Sequence, residues 1–93
     1  MPELAHIKAL VHGKVQGVYY RAFASRAAKS LFLKGYVRSV NNGDVELEAE
    51  GPKEMLEELQ RRLKAGPDGA IVEKIDVTWS EGPGKYSAFD VRY

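Results

Sequence analysis

Gly13-Lys14-Val15-Gln16-Gly17-Val18-Tyr19-Tyr20-Arg21 is the junction that sets the architecture of this chain. Before it runs a strand-like stretch, His6 to His12; after it, an arginine opens a helix-like stretch. Gly13 and Gly17 let the backbone curl so that several N–H groups converge on one point. A helix N-terminus adds positive dipole there. Arg21 adds a planar fork of donors suited to a tetrahedral anion. The stretch therefore predicts a strand, a tight loop and a helix, with a socket for a phosphate-sized anion between them. It is not the phosphate loop of the nucleotide-binding proteins, which ends in Gly-Lys followed by Ser or Thr.

Outward from this junction, residues 5–13 read as a strand, with Ile7, Ala9 and Val11 on one face and His6, Lys8 and His12 on the other, Leu10 being an exposed exception. Residues 21–33 read as a helix on the spacing of Phe23, Ala27 and Leu31 beside Ala24 and Ala28, stopped by Gly35. Residues 35–40 and 44–50 form a hairpin about Asn41-Asn42-Gly43-Asp44, since Asn and Gly tolerate positive φ. Val45, Leu47 and Ala49 alternate there with Glu46, Glu48 and Glu50, the pattern of a strand with one wet face. Gly51-Pro52 opens a second helix with the proline in its first turn; Leu56, Leu59 and Leu63 form its buried stripe and Gly66-Pro67 ends it. Residues 71–79 make another strand, and Phe89, Val91 and Tyr93 a short last one. The order β-α-β-β-α-β plus a short C-terminal strand predicts an α+β, ferredoxin-like sandwich with two helices on one face of an antiparallel sheet. That fold serves many functions and by itself identifies none.

The 93 residues form a single expected domain, 1–93, with 44% hydrophobic and 29% charged residues, as in ordinary globular proteins. A net charge of +1 gives no general attraction to nucleic acid or to a membrane, so anion recognition has to be local. With no cysteine and two histidines, disulfides, thiol catalysis and a structural zinc site are not expected. Met1 to His6 carry no apolar run, so neither a signal peptide nor a membrane span is expected and the location reads as cytoplasmic. Both histidines read as solvated surface residues, and Glu46, Glu48 and Glu50 as cross-strand partners of Lys8, Arg38 or Arg92. Tyr36, Trp79 and Phe89 read as core or edge packing.

Three blocks together resemble the signatures of the acylphosphatase family. They are Gly13-x-Val15-Gln16-Gly17-Val18-x-Tyr20-Arg21; Gly35-Tyr36-Val37-Arg38 with Gly43-x-Val45 and Gly51; and the closing Phe89-Asp90-Val91-Arg92-Tyr93. The resemblance spans nearly the whole chain. It implies hydrolysis of the mixed anhydride between a carboxylate and phosphate, without metal or cofactor, on a small-molecule acyl phosphate; a monomer is expected, with no nucleic-acid or membrane partner. It assigns the phosphoryl-binding loop to Val15, Gln16, Gly17, Val18, Tyr19 and Tyr20, and the charge-neutralising group to Arg21. The position at which the family carries a water-orienting asparagine falls on Ser39, a departure that implies slower turnover. A hydroxyl offers a shorter reach and a weaker hold on water than a carboxamide. Asn41 and Asn42 lie close by in sequence, although a turn needs them for backbone geometry.

Two other readings share the fold. A non-catalytic phosphate- or acyl-phosphate-binding module would bind without turnover; domains of this type also occur inside larger hydrogenase-maturation proteins. An RNA-recognition domain would expose aromatics on its first and third strands. The corresponding positions here are His6, Lys8 and Leu10, then Glu46, Glu48 and Glu50, and a row of glutamates repels a phosphate backbone.

Overall fold

The alternation in the first strand is realised residue by residue: Ile7, Ala9 and Val11 are buried, while Lys8 is exposed and Leu10 is half-buried rather than fully outside. The computed structural model describes residues 4–15, 18–40, 43–81 and 84–92. Its elements run β1 (Leu4–Lys14), α1 (Val18–Ser30), β2 (Lys34–Ser39), β3 (Val45–Pro52), α2 (Lys53–Ala65), β4 (Ile71–Ser80) and β5 (Phe89–Arg92). Among the described residues the sheet has five strands in the order β4-β1-β3-β2-β5. β1 pairs antiparallel with β3 and β4, and β2 antiparallel with β3. The ferredoxin-like order stands as expected; the short last strand lies parallel to β2 and makes the sheet mixed.

Both helices cover one face of this sheet. Ala24, Ala27, Ala28 and Leu31 of α1 and its following turn meet Leu56, Leu59 and Leu63 of α2 in one core with Ile7, Val11, Val37, Val45 and Leu47. Each fully buried Leu or Ile contributes about 1.5–3 kcal/mol. The alanines bring α1 close to the sheet, where larger side chains would hold it off.

Helix α1 starts at Val18 and ends at Ser30, three residues before the expected limits at both ends. Gly35 does not stop it; that glycine sits inside β2. The stop is Phe32, in the left-handed region at φ 58. The Leu33 N–H donates to the Ala28 carbonyl and the Phe32 N–H to the Lys29 carbonyl, both at 3.0 Å. These are the paired bonds of a Schellman cap, which ordinarily places glycine where Phe32 stands. Leu33 then drops into the core while the Phe32 ring is 87% exposed. Phe32→Gly should therefore raise stability by about 0.5–1 kcal/mol, through relief of the left-handed strain net of glycine's entropy. Urea unfolding would show this as a higher midpoint at unchanged slope.

Pro52 also lies one position earlier than expected: it closes β3 and takes the N-cap position of α2, with Lys53 as the first helical residue. The acidic first turn and basic last turn of α2 agree with the helix dipole.

The other face of the sheet is not the wet surface that the glutamates suggested. Glu46 and Glu50 are buried. Glu46 accepts from Arg38 Nε at 2.6 Å, with Tyr36 Oη at 3.0 Å sharing its proton between Glu46 and Glu48, and with Lys8 at 3.5 Å. Glu48 accepts from Tyr36 Oη at 2.8 Å and Tyr86 Oη at 3.1 Å, and lies 2.9 Å from His6 Nε2. Glu50 accepts the backbone N–H groups of Lys85 and Tyr86, fastening the segment before β5 to the sheet. Burial opposes charge on Glu46 and Glu48, but these hydrogen bonds outweigh it and hold both carboxyls below the usual carboxylate range. Arg92 pairs with none of the three; its guanidinium stacks on the Tyr36 ring, 4.1 Å from the centroid.

Candidate active site

Strand register brings the segments that flank the expected site to one end of the sheet. Val45 of β3 faces Val11 of β1 on one side and Ser39 of β2 on the other, so the three lie in one transverse row. Beyond Val11, β1 continues to Lys14 and the chain then enters α1. On the far side of β2, Arg38 stands beside Arg92 of β5. The β1–α1 junction, the end of β2, the start of β3 and the end of β5 therefore share one edge, closed by the N-terminus of α1.

Gly13 makes the exit from β1 possible. Its φ is 134°, and a Cβ there would stand 2.1 Å from the Ile71 carbonyl oxygen and 2.8 Å from the Glu73 nitrogen. The pairing with β4 shifts register between His12 and Gly13, a bulge that redirects the strand into the loop. Val15 follows with its side chain buried in the core, which leaves its backbone as the part that can face a ligand. Gln16 and Gly17 lie outside the described residues. Val18 starts α1, so the helix reaches three residues further into the expected loop than the sequence suggested.

Arg21 lies in the fourth position of α1, at the positive end of the dipole, where a cation is unfavourable unless an anion accompanies it. It is 9% exposed. Nη1 donates to the Arg92 carbonyl oxygen at 3.2 Å, which ties the guanidinium to β5. The sequence gives no sign of this support, because the two residues stand at opposite ends of the chain. Ser39 is the exposed last residue of β2. The Val40 N–H donates to the Asp44 carbonyl at 2.9 Å, closing the hairpin beside it. Asn41 and Asn42 lie outside the described residues.

Tyr19 and Tyr20, both assigned to the loop, have different surroundings. Tyr19 is 72% exposed. Tyr20 is a core residue: its ring lies against Phe23 and its hydroxyl donates to the Leu63 carbonyl at 2.8 Å. Burial pushes that phenol well above its usual range, so it stays neutral and holds α1 to α2. A cleft of about 160 Å³ beside the junction is lined by Lys14, Val15, Tyr19 and Tyr20 and by residues 67–70 of the loop after α2. Among the described helices, none is long and apolar enough to cross a membrane.

The histidines are not solvated free. His6 bonds Ser80 and Glu48, and His12 lies between Asp44 and Asp76. Their partners come from β3, β4 and the turn before β3, remote in sequence, which is why no partner is visible within the histidines' own segment.

The chain as a whole is similar to known proteins. The family model described as Acylphosphatase matches residues 7–91. The acylphosphatase of Thermus thermophilus is 51% identical over 84 residues, covering 90% of this chain and 92% of that protein. That of Dehalococcoides mccartyi is 44% identical over 88 residues, covering 94% and 97%. The crystal structure of acylphosphatase from Bacillus subtilis superimposes with a TM-score of 0.91 at 32% identity, over 96% of this chain and 99% of that one. A strand-loop-helix junction ending in Arg21, set in this sandwich and matched over nearly its full length, places the chain in the acylphosphatase family of hydrolases.

Proposed function

We propose that this chain hydrolyses the carboxyl-phosphate anhydride of small acyl phosphates, releasing carboxylate and inorganic phosphate. The observation that carries this reading is Arg21, held near the N-terminus of α1 by the Arg92 carbonyl, at the end of the sheet where β1 leads toward α1 and β2 ends at Ser39. In the proposed reaction the N–H groups of residues 15–20 and the Arg21 guanidinium grip the phosphoryl oxygens. Water attacks phosphorus in line with the leaving carboxylate; the P–O bond to the acyl group breaks and the carboxylate takes the bonding pair. The proton lost by the water passes to the phosphate product or to solvent. An acyl phosphate has a good leaving group, so positioning and charge neutralisation account for most of the catalysis. No step requires a metal or cofactor.

Ser39 is assigned to the attacking water, which it holds less firmly than a carboxamide would. The non-catalytic alternative draws its support from the same residue: a cradle intact at Arg21 but weak at the water position would bind without turnover. The test is phosphate release from acetyl phosphate with and without EDTA, alongside calorimetric binding of orthophosphate. Release unaffected by EDTA, with orthophosphate competing against substrate, is the expected result. Orthophosphate binding with no release would favour the module, and neither would reject both.

A further inference from the structure

His12 is gripped from two sides. Its Nδ1 lies 2.7 Å from Asp44 Oδ2 and its Nε2 2.9 Å from Asp76 Oδ2. A carboxylate oxygen at each ring nitrogen is satisfied only when both nitrogens carry a proton; neutral imidazole has one N–H and turns a lone pair on the other acceptor. The clamp stands at a junction of the site. His12 immediately precedes the bulge at Gly13 from which the loop springs. Asp44 accepts from the Val40 N–H through its own carbonyl, and Val40 follows Ser39. Asp76 belongs to β4, the strand that flanks β1 on its other side.

We propose that His12 is a positioning residue for the hydrolysis: doubly protonated, it ties the exit of β1 to the hairpin that carries Ser39, and the site loosens when one of its ring protons is lost. This rests on the reaction proposed above. Among the described residues, Asp44 before β3 and Asp76 of β4 bond the ring, Lys74 of β4 is its register partner, and Glu46 stands one step further along β3, opposite Leu10. Glu46 is taken up by Arg38 and Lys8, and Lys74 lies 3.4 Å from Asp76. That leaves Asp44 and Asp76 as the groups that hold the proton. Hydrogen bonds to Asp76 and Asp44 raise the ring above its usual 6.5. A raised folded-state value means that the clamp contributes its full stability below 6.5 and loses it as pH rises through the higher folded value. Activity should fall over that same alkaline interval.

The experiment follows kcat/KM for acetyl phosphate from acid to alkaline pH, with the His12 ring titrated by NMR in parallel. A fall of about ten- to a hundredfold is expected, the scale of an ångström-sized misplacement, with its midpoint at that of the ring. His12→Gln, which cannot titrate, should give a flat profile over the interval. Asp44→Asn should move both midpoints to lower pH together, and the fall should persist at about 0.5 M salt, where through-space effects between exposed charges are screened. An alkaline fall of the same shape in His12→Gln, midpoints that separate in Asp44→Asn, or a fall abolished by salt would overturn the assignment. Sulfate, dianionic throughout the range, gives a readout that does not need turnover. If no acyl phosphate is hydrolysed at any pH, the reaction reading fails, while sulfate affinity that tracks the ring in wild type but not in His12→Gln would still support the clamp. Sulfate affinity indifferent to the ring would remove it.

Discussion

Arg21→Ala is expected to lower kcat/KM for acetyl phosphate by about two to four orders of magnitude and to abolish measurable orthophosphate binding. The size follows from two charge-assisted hydrogen bonds to the phosphoryl group at roughly 1.5–3 kcal/mol each. Arg21→Lys should recover little, since an ammonium keeps the charge but loses the fork that matches two oxygens at once. The guanidinium also donates to the Arg92 carbonyl, so both variants should unfold at a somewhat lower temperature. Activity assayed well below that temperature separates the two effects. An Arg21→Ala enzyme that retains wild-type kcat/KM would remove this residue from the site.

The second large effect runs the other way. Ser39→Asn is expected to raise kcat by about a hundredfold or more, because restoring one well-aimed polar group at the reacting centre is worth about 2.7–4 kcal/mol. KM should change little, since the group holds water and not the phosphoryl oxygens. Position 39 is the exposed end of β2 and Ser39 makes its strand pairing through the backbone with Val45, so the larger side chain fits without repacking. Single-turnover kinetics would locate the gain in the chemical step. An unchanged kcat would show that Ser39 is not the weak point, and that water is oriented by another group.

The sequence carried the fold because its signals were local and mutually consistent: alternation in β1, alanine spacing in α1, Asn-Gly in the hairpin and the leucine stripe of α2. What it concealed were consequences of long-range pairing. Phe32 ends α1 in a conformation that ordinarily calls for glycine, while Gly35, the nearest glycine, lies inside β2. The glutamates of β3 alternate as exposed residues do. They are sheltered because Tyr36 on β2 and Tyr86 before β5 reach across to them. The parallel pairing of β5 with β2 cannot be read from a four-residue strand, yet it places the carbonyl that holds Arg21. The loop and Arg21 were legible because their chemistry is contiguous in sequence. Tyr20 was drawn in by its position in the motif, although its hydroxyl serves the core. His12 reads as a solvated surface residue in the sequence because its two partners are 32 and 64 residues away.

The central claim is that the backbone curl before α1, completed by the Arg21 guanidinium, binds a tetrahedral dianion. Titration of ¹⁵N-labelled protein with orthophosphate tests it directly. Saturable shifts confined to the amides of residues 15–21 and the Arg21 side chain, absent in Arg21→Ala, are the predicted result. Shifts scattered over the surface lysines and arginines, or no saturable shift at residues 15–21, would contradict it.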